Sequence, residues 1–258
     1  MFLLPLVAWS VMENLLDTDN RKSLEFLLTY PLFDEKTFDN RMREMSSLDI
    51  NSVFSFGSVQ LKKAQIIGKG SVGLVTLVKF KNKLLALKIR RTDANRANMY
   101  DEVLYQSLAN SIGIGPFLLN YSENFILMEY IKGSNIESWY ESQTSNKKLL
   151  RCTNAILQQC FLLDCLNLDH GQLSRLDRHI IVSPEGLPTI LDFETSSTKR
   201  RSSNVTSVSQ SIFLHGPIHA KLRNAINKER TDIIKHIKDY KKHMNRKKFL
   251  PILNLLES

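Results

Sequence analysis

The sequence predicts an α+β fold: a β-rich smaller lobe, then a mostly helical larger one, with a helical extension in front. Short β-branched runs separated by turn residues crowd into the stretch 52–130, whereas helical periodicity dominates after Gly133. The 258 residues are 43% hydrophobic and 24% charged, a globular composition that excludes a wholly disordered chain. No internal repeat is present. The expected organisation is an N-terminal helical extension at 1–51, the smaller lobe at 52–132, and a reduced larger lobe at 133–258 that ends in a basic helix.

Each element follows from local chemistry. Ser23–Tyr30 puts Leu24, Leu27 and Leu28 on one helical face and stops before Pro31. Asp34–Met45 opens with Asp34 and Glu35 and carries Arg41 and Arg43 later, the polarity a helix dipole favours. From Ser52 the pattern changes to β runs at Ser52–Phe56, Val59–Ile67, Leu74–Phe80 and Leu84–Arg90, the last two joined by the tight turn Lys81-Asn82-Lys83. A helix is predicted over Ala94–Asn110, a break at Gly113-Ile114-Gly115-Pro116, and a hairpin-like pair at Phe117–Leu119 and Asn124–Tyr130. Beyond Gly133 the helices are Ile136–Gln143 and Lys148–Leu166, and the β runs His179–Val182 and Thr189–Asp192 flank the turn Pro184-Glu185-Gly186. Residues 195–211, ten of the seventeen being Ser or Thr, read as a loop. Leu222, Ile226, Ile233, Ile237, Tyr240 and Met244 recur at spacings of three, four and seven, an amphipathic helix whose apolar stripe packs on the larger lobe.

Charge is uneven. Between Lys221 and Lys248 stand eleven Lys or Arg against three acids, so the rest of the chain is near neutral although the whole carries +9. A basic tail of this kind points to an anionic partner, RNA or a ribonucleoprotein, or to a solvated helix face. Cys152, Cys160 and Cys165 show no C-x-x-C spacing, which fits a reducing, cytoplasmic setting without a zinc site. No run of 18 apolar residues exists, and the opening MFLLPLVAW is short, interrupted by Pro5 and without basic flanks; neither a membrane span nor a secretory signal is expected.

Three of the ten glycines fall within Gly68-Lys69-Gly70-Ser71-Val72-Gly73. The β-branched run Leu74–Val78 follows, so the loop joins two strands rather than a strand and a helix, and its backbone amides can cover phosphates. On the next strand, Ala86-Leu87-Lys88-Ile89 puts Ala86 and Lys88 on one face and Leu85, Leu87 and Ile89 on the other. A small residue beside a lysine leaves room for a base and places an ammonium at its phosphates. Fourteen residues on, Glu102 can reach back to that lysine, while the competing Asp101 points about 100° away around the helix. Ile126-Leu127-Met128-Glu129-Tyr130-Ile131 is a buried strand that leads into a linker.

These strings, with Leu191-Asp192-Phe193-Glu194 and His170-Gly171-Gln172-Leu173-Ser174-Arg175, resemble a divergent protein-kinase-like domain over about Ile66–Phe213. More narrowly they resemble an archaeal family of predicted serine/threonine protein kinases. The compact C-terminal half is similar to RIO-type kinases and to the kinase subunit of the KEOPS tRNA-modification complex. The resemblance implies a bilobal protein-kinase-like fold, ATP and Mg²⁺ as cofactors, and a cytoplasmic setting. It implies nucleotide contacts from Gly68, Lys69, Gly70, Ser71, Gly73, Val75, Ala86 and Lys88, with Met128 at the back of the pocket and backbone groups around Glu129 and Ile131 on the adenine edge. It makes Lys88, Glu102, Gln172 and Asp192 the catalytic set, and Asp192 a metal ligand.

The catalytic-loop comparison allows two alignments of the second metal place, and Asp177 is taken as the metal ligand beside Asp192. Spacing from His170 puts Asp177 there, and carboxylate chemistry suits Mg²⁺; anchoring on the strand Ile180-Ile181-Val182 puts His179 there instead. Gln172 occupies the position of the proton-accepting Asp, a departure that lowers the expected rate. The implied activity is γ-phosphoryl transfer from ATP to protein hydroxyls; Lys199-Arg200-Arg201-Ser202-Ser203 in the Ser/Thr-rich loop is either a plain flexible connection or a self-phosphorylated segment. The competing reading is a nucleotide-binding pseudokinase or ATPase that scaffolds an RNA or ribonucleoprotein complex. A small-molecule kinase is a third possibility, disfavoured by the short chain after Asp192.

Overall fold

The computed structural model describes residues 12–223, 225–226 and 228–257. The apolar opening read against a secretory signal lies outside the described residues. The chain is α+β with antiparallel sheets, as the sequence predicts, and divides into two compact units. The first takes in the described residues up to Val103 with Phe117–Tyr130, and the second Leu104–Pro116 with the chain from Ile131 onward.

The first unit opens with α1 (Arg21–Thr29) and α2 (Glu35–Ser47). Asp34 caps α2 by accepting from the Thr37 amide at 2.7 Å. Strands β1 (Ser52–Phe54), β2 (Val59–Leu61), β3 (Ala64–Ile66), β4 (Gly68–Lys69), β5 (Gly73–Phe80) and β6 (Lys83–Arg90) follow; then come α3 (Tyr100–Asn110), β7 (Leu118–Tyr121) and β8 (Phe125–Glu129). The main sheet runs β1-β5-β6-β8-β7, antiparallel throughout, with β4 paired to β5.

The alternation read from the sequence holds here: Leu85, Leu87 and Ile89 are buried with Leu74, Val78 and Leu127. The same core contains Leu24, Leu27 and Leu28 of α1 and Phe38 and Met45 of α2. In its described part the extension at 1–51 packs its helices into the core of this unit.

Two elements differ from expectation. Val59–Ile67 is a hairpin rather than one strand; it turns at Lys62, whose φ is +52, so Leu61 and Ala64 pair across it. The helix expected from Ala94 begins at Tyr100. Residues 91–99 form turns and bends instead, tied by Thr92 bonding the Tyr30 carbonyl, by Arg90 bonding the Arg96 carbonyl at 2.9 Å, and by the Arg91–Asp93 ion pair at 2.7 Å.

The second unit holds β9 (Ser134–Asn135), α4 (Ile136–Ser142), α5 (Asn146–Cys165), α6 (Leu176–His179), β10 (Ile180–Val182) and β11 (Pro188–Ile190). It continues through α7 (Asn204–Phe213), α8 (Pro217–Leu222), α9 (Arg230–His243) and α10 (Arg246–Leu253). A small antiparallel sheet is ordered β11-β10-β9. Helix α5 is central: Leu149, Cys152, Ile156, Cys160 and Leu163 form its buried stripe, and burial pushes the Cys152 thiol up to about 12.

Two C-terminal expectations are corrected. The Ser/Thr-rich stretch 195–211 is not a loop throughout, because Val205, Val208, Ile212 and Phe213 share one face and fold its second half into α7. The basic tail is not one helix either. Helix α8 ends at Leu222, α9 starts at Arg230, and Met244 in left-handed geometry (φ +35) separates α9 from α10. Leu222, Ile233, Ile237 and Tyr240 are nonetheless buried as the spacing predicts. No helix among the described residues is long and apolar enough to cross a membrane.

Candidate functional site

In the first unit the glycine-rich segment is a strand–turn–strand. Gly68 pairs with Val75 and Lys69 with Leu74, and the Gly70 amide closes the turn on the Gly73 carbonyl at 2.8 Å. Lys69, Gly70 and Ser71 are exposed at its tip. A β-carbon at Gly73 would lie 3.1 Å from both Cγ and Cε of Lys88, so glycine here lets the loop's end lie directly against that lysine.

Lys88 sits on β6 opposite Val75 of β5 and Ile126 of β8; Ala86 sits opposite Met128. Residues directly opposite share a sheet face, so Val75, Ala86, Lys88, Ile126 and Met128 line one surface. Against it pack Val72, Met99 and Val103, which keep the surroundings of the lysine apolar. Lys88 is only 6% exposed and Glu102 2%. The Lys88 Nζ lies 2.6 Å from Glu102 Oε1, an ion pair that joins the sheet to the first turn of α3. Asp101, the alternative acid, is exposed. Met128 is half-buried and Glu129 exposed, and the Glu129 amide donates to the Phe117 carbonyl at 2.9 Å.

The second unit brings together His170, His179, Asp192 and Phe193. The His170 side chain is fully buried; its Nε2 lies 2.9 Å from the Leu191 carbonyl and its backbone amide donates to Asn204 Oδ1 at 2.9 Å. A carbonyl only accepts, so Nε2 carries the proton. Burial drives the His170 pKa down to about 4 and holds the ring neutral. The ring meets Phe193 and His179 edge-on, both at 5.3 Å between centroids. Phe193 in turn occupies the space a side chain at Gly115 would need, since a β-carbon there would lie 2.7 Å from the phenyl ring. Gly115 also has φ +83, so the glycine of that break is required twice over.

Asp192 has φ +67, left-handed geometry that a non-glycine residue adopts at a cost of about 1–2 kcal/mol. Its carboxylate is part-exposed and stands 3.8 Å (Oδ2) from Nδ1 of buried His179. Asp192 and Glu194 offer carboxylate oxygens within 4.8 Å of each other. Hard carboxylate oxygens are the donor type that Mg²⁺ takes. Of the two residues considered for the second metal place, His179 is the one against Asp192. Asp177 lies exposed in the first turn of α6, with Arg178 at 4.0 Å. Gln172 is half-buried, and its carbonyl accepts from the Arg175 amide at 3.0 Å in a local turn.

Sequence reasoning missed what holds this second cluster. Asp164 of α5 accepts from both the backbone and side-chain nitrogens of Asn204, at 3.0 and 2.8 Å, from the Val205 amide and from the Tyr240 hydroxyl. Asp169 accepts from Arg200 Nε at 2.9 Å and from Ser203 Oγ at 3.1 Å. Arg200 and Ser203 are thus structural ties; Ser202 is buried and Ser203 half-buried. No spacing rule could reveal these contacts, because partners such as Asp164 and Tyr240 are 76 residues apart.

Neither protein-family models nor curated proteins give a match to this chain.

Proposed function

We propose that this protein is an atypical serine/threonine protein kinase with a bilobal protein-kinase-like fold, which transfers the γ-phosphoryl group of ATP to protein hydroxyls with Mg²⁺ as cofactor. The observation that carries this reading is the Lys88–Glu102 pair, buried at 2.6 Å directly against Gly73 of the glycine turn. A strand lysine with only a structural role extends its ammonium into water. Burying it beside a carboxylate costs desolvation that pairing does not fully repay, and a phosphate-neutralising role explains why the arrangement is kept.

In this reading Gly68, Gly70 and Gly73 cover the phosphates, Lys88 neutralises them and Glu102 positions Lys88. Asp192, with Glu194 or His179 beside it, would hold the metal, which when bound offsets the negative charge of the phosphates. During transfer the acceptor hydroxyl oxygen bonds to the γ-phosphorus. The bond to the bridging oxygen breaks, and ADP leaves with that electron pair. Gln172, an amide, orients the hydroxyl but takes no proton, so the proton passes to water and turnover is slow by about 10²–10⁴-fold relative to a carboxylate base.

That same glutamine favours one second reading: a nucleotide-binding pseudokinase or ATPase that scaffolds an RNA or ribonucleoprotein complex through its basic tail. Labelled ATP with Mg²⁺, incubated with the protein and with Lys88→Ala and Asp192→Ala, separates the two. Transfer that disappears in both variants supports the kinase. Nucleotide binding without transfer or hydrolysis selects the scaffold, and no nucleotide binding removes both.

A further inference from the structure

Within the helical unit, α7, α8 and α9 enclose a small cavity of about 170 Å³. Its walls carry four basic side chains: His219 of α8, Arg223 at that helix's C-terminal cap, Lys228 in the connection, and Arg230, the first residue of α9. Phe213 and Ile233, both buried, form an apolar floor.

Basic runs ordinarily spread their charges into water. Here they converge. Burial lowers the His219 pKa first, and Arg230, Arg223 and His215 lower it further, so these cations face the imidazole closely enough to repel its proton. Among the described residues none of the four wall side chains is in an ion pair. The Arg230 guanidinium is oriented by donating Nη1 to the Leu214 carbonyl at 2.9 Å. Like charges gathered around a concavity without a counter-charge attract an anion, and guanidinium groups favour phosphate oxygens.

Size narrows the ligand. A cavity of about 170 Å³ admits a phosphoryl group and a few carbons. A small enclosure also suits a terminal phosphate better than a diester strand that must continue through it. We propose that this cavity binds the terminal phosphate of a small phosphate monoester, with the carbon portion of the ligand resting on Phe213 and Ile233. The site does not depend on the kinase reading.

Calorimetric titration of the whole protein with phenyl phosphate, and with dimethyl phosphate as a singly charged diester, tests this. The expected result is saturable binding of phenyl phosphate, at least about tenfold tighter than the diester, weakened roughly tenfold by Arg223→Gln and by Arg230→Gln. Lys235→Gln, an exposed position of α9, should leave it unchanged. In the wild-type protein the His219 ring resonance should shift as phenyl phosphate saturates, a readout that needs no variant. Absence of binding, an unmoved His219 resonance, or equal losses in Lys235→Gln and Arg230→Gln would each overturn the proposal. Displacement of phenyl phosphate by single-stranded RNA with equal sensitivity at Lys235 would show a diffuse basic surface instead.

Discussion

Both units bury ionisable groups, but they hold them differently. In the first, Lys88 and Glu102 stand on a strand and a helix, and regular geometry alone aims each at the other across 2.6 Å. In the second, His170 and Asp192 lie outside helices and strands, fixed by bonds to Leu191 and Asn204 and by a left-handed backbone. Periodicity positions the first pair. A hydrogen-bond network positions the second. Perturbation should therefore act through charge in one unit and through protonation and backbone strain in the other.

The largest effect is expected at the regular pair. Glu102→Ala should destabilise the protein by about 4 kcal/mol in urea unfolding, because it removes a carboxylate from a buried ammonium. The double change Lys88→Met with Glu102→Leu should recover most of that loss; equal losses in single and double variants would show that packing, not charge, dominates this site.

Next comes acid sensitivity in the second unit. The His170 pKa falls to about 4 in the folded state against about 6.5 unfolded. The unfolded chain then binds more protons between those values, so stability rises with pH across the window and is lost as pH falls from 6.5 towards 4. The contribution is about 3 kcal/mol, read from urea midpoints at several pH values. His170→Gln should flatten that slope, and the residue of it belongs to His179, whose pKa burial also lowers.

Backbone strain gives a smaller difference. Asp192→Gly should be about 1 kcal/mol more stable than Asp192→Ala, because glycine accepts φ +67 and alanine does not. Equal thermal midpoints would mean that the left-handed geometry relaxes when the carboxylate is removed. Helix caps provide the smallest test and should not distinguish the units. Asp34→Ala before α2 and Asn245→Ala before α10 each remove one side-chain acceptor, from the Thr37 and Lys248 amides, and each should cost about 1 kcal/mol in thermal denaturation.

The same contrast explains what could be read in advance. Alternation in Leu85–Ile89 assigned the faces of β6, and fourteen residues of spacing brought Glu102 rather than Asp101 to Lys88. The helix start at Tyr100 was not legible, because Thr92 and Arg90 hold residues 91–99 in turns through bonds to Tyr30 and Arg96. Spacing and carboxylate chemistry chose Asp177 over His179 for the second metal place; the short helix α6 leaves Asp177 exposed and puts His179 against Asp192.

The sequence by itself determined most of the strands and helices and the buried faces of the sheet, because local periodicity dictates where side chains on regular elements point. Only the tertiary structure decided the backbone of Asp192, the folding of the Ser/Thr-rich stretch into α7, and the gathering of Arg223 and Arg230 around one cavity. Those features depend on partners distant in the chain, as Asp164 depends on Asn204 and Tyr240, and no local pattern encodes which distant groups will satisfy a buried carboxylate.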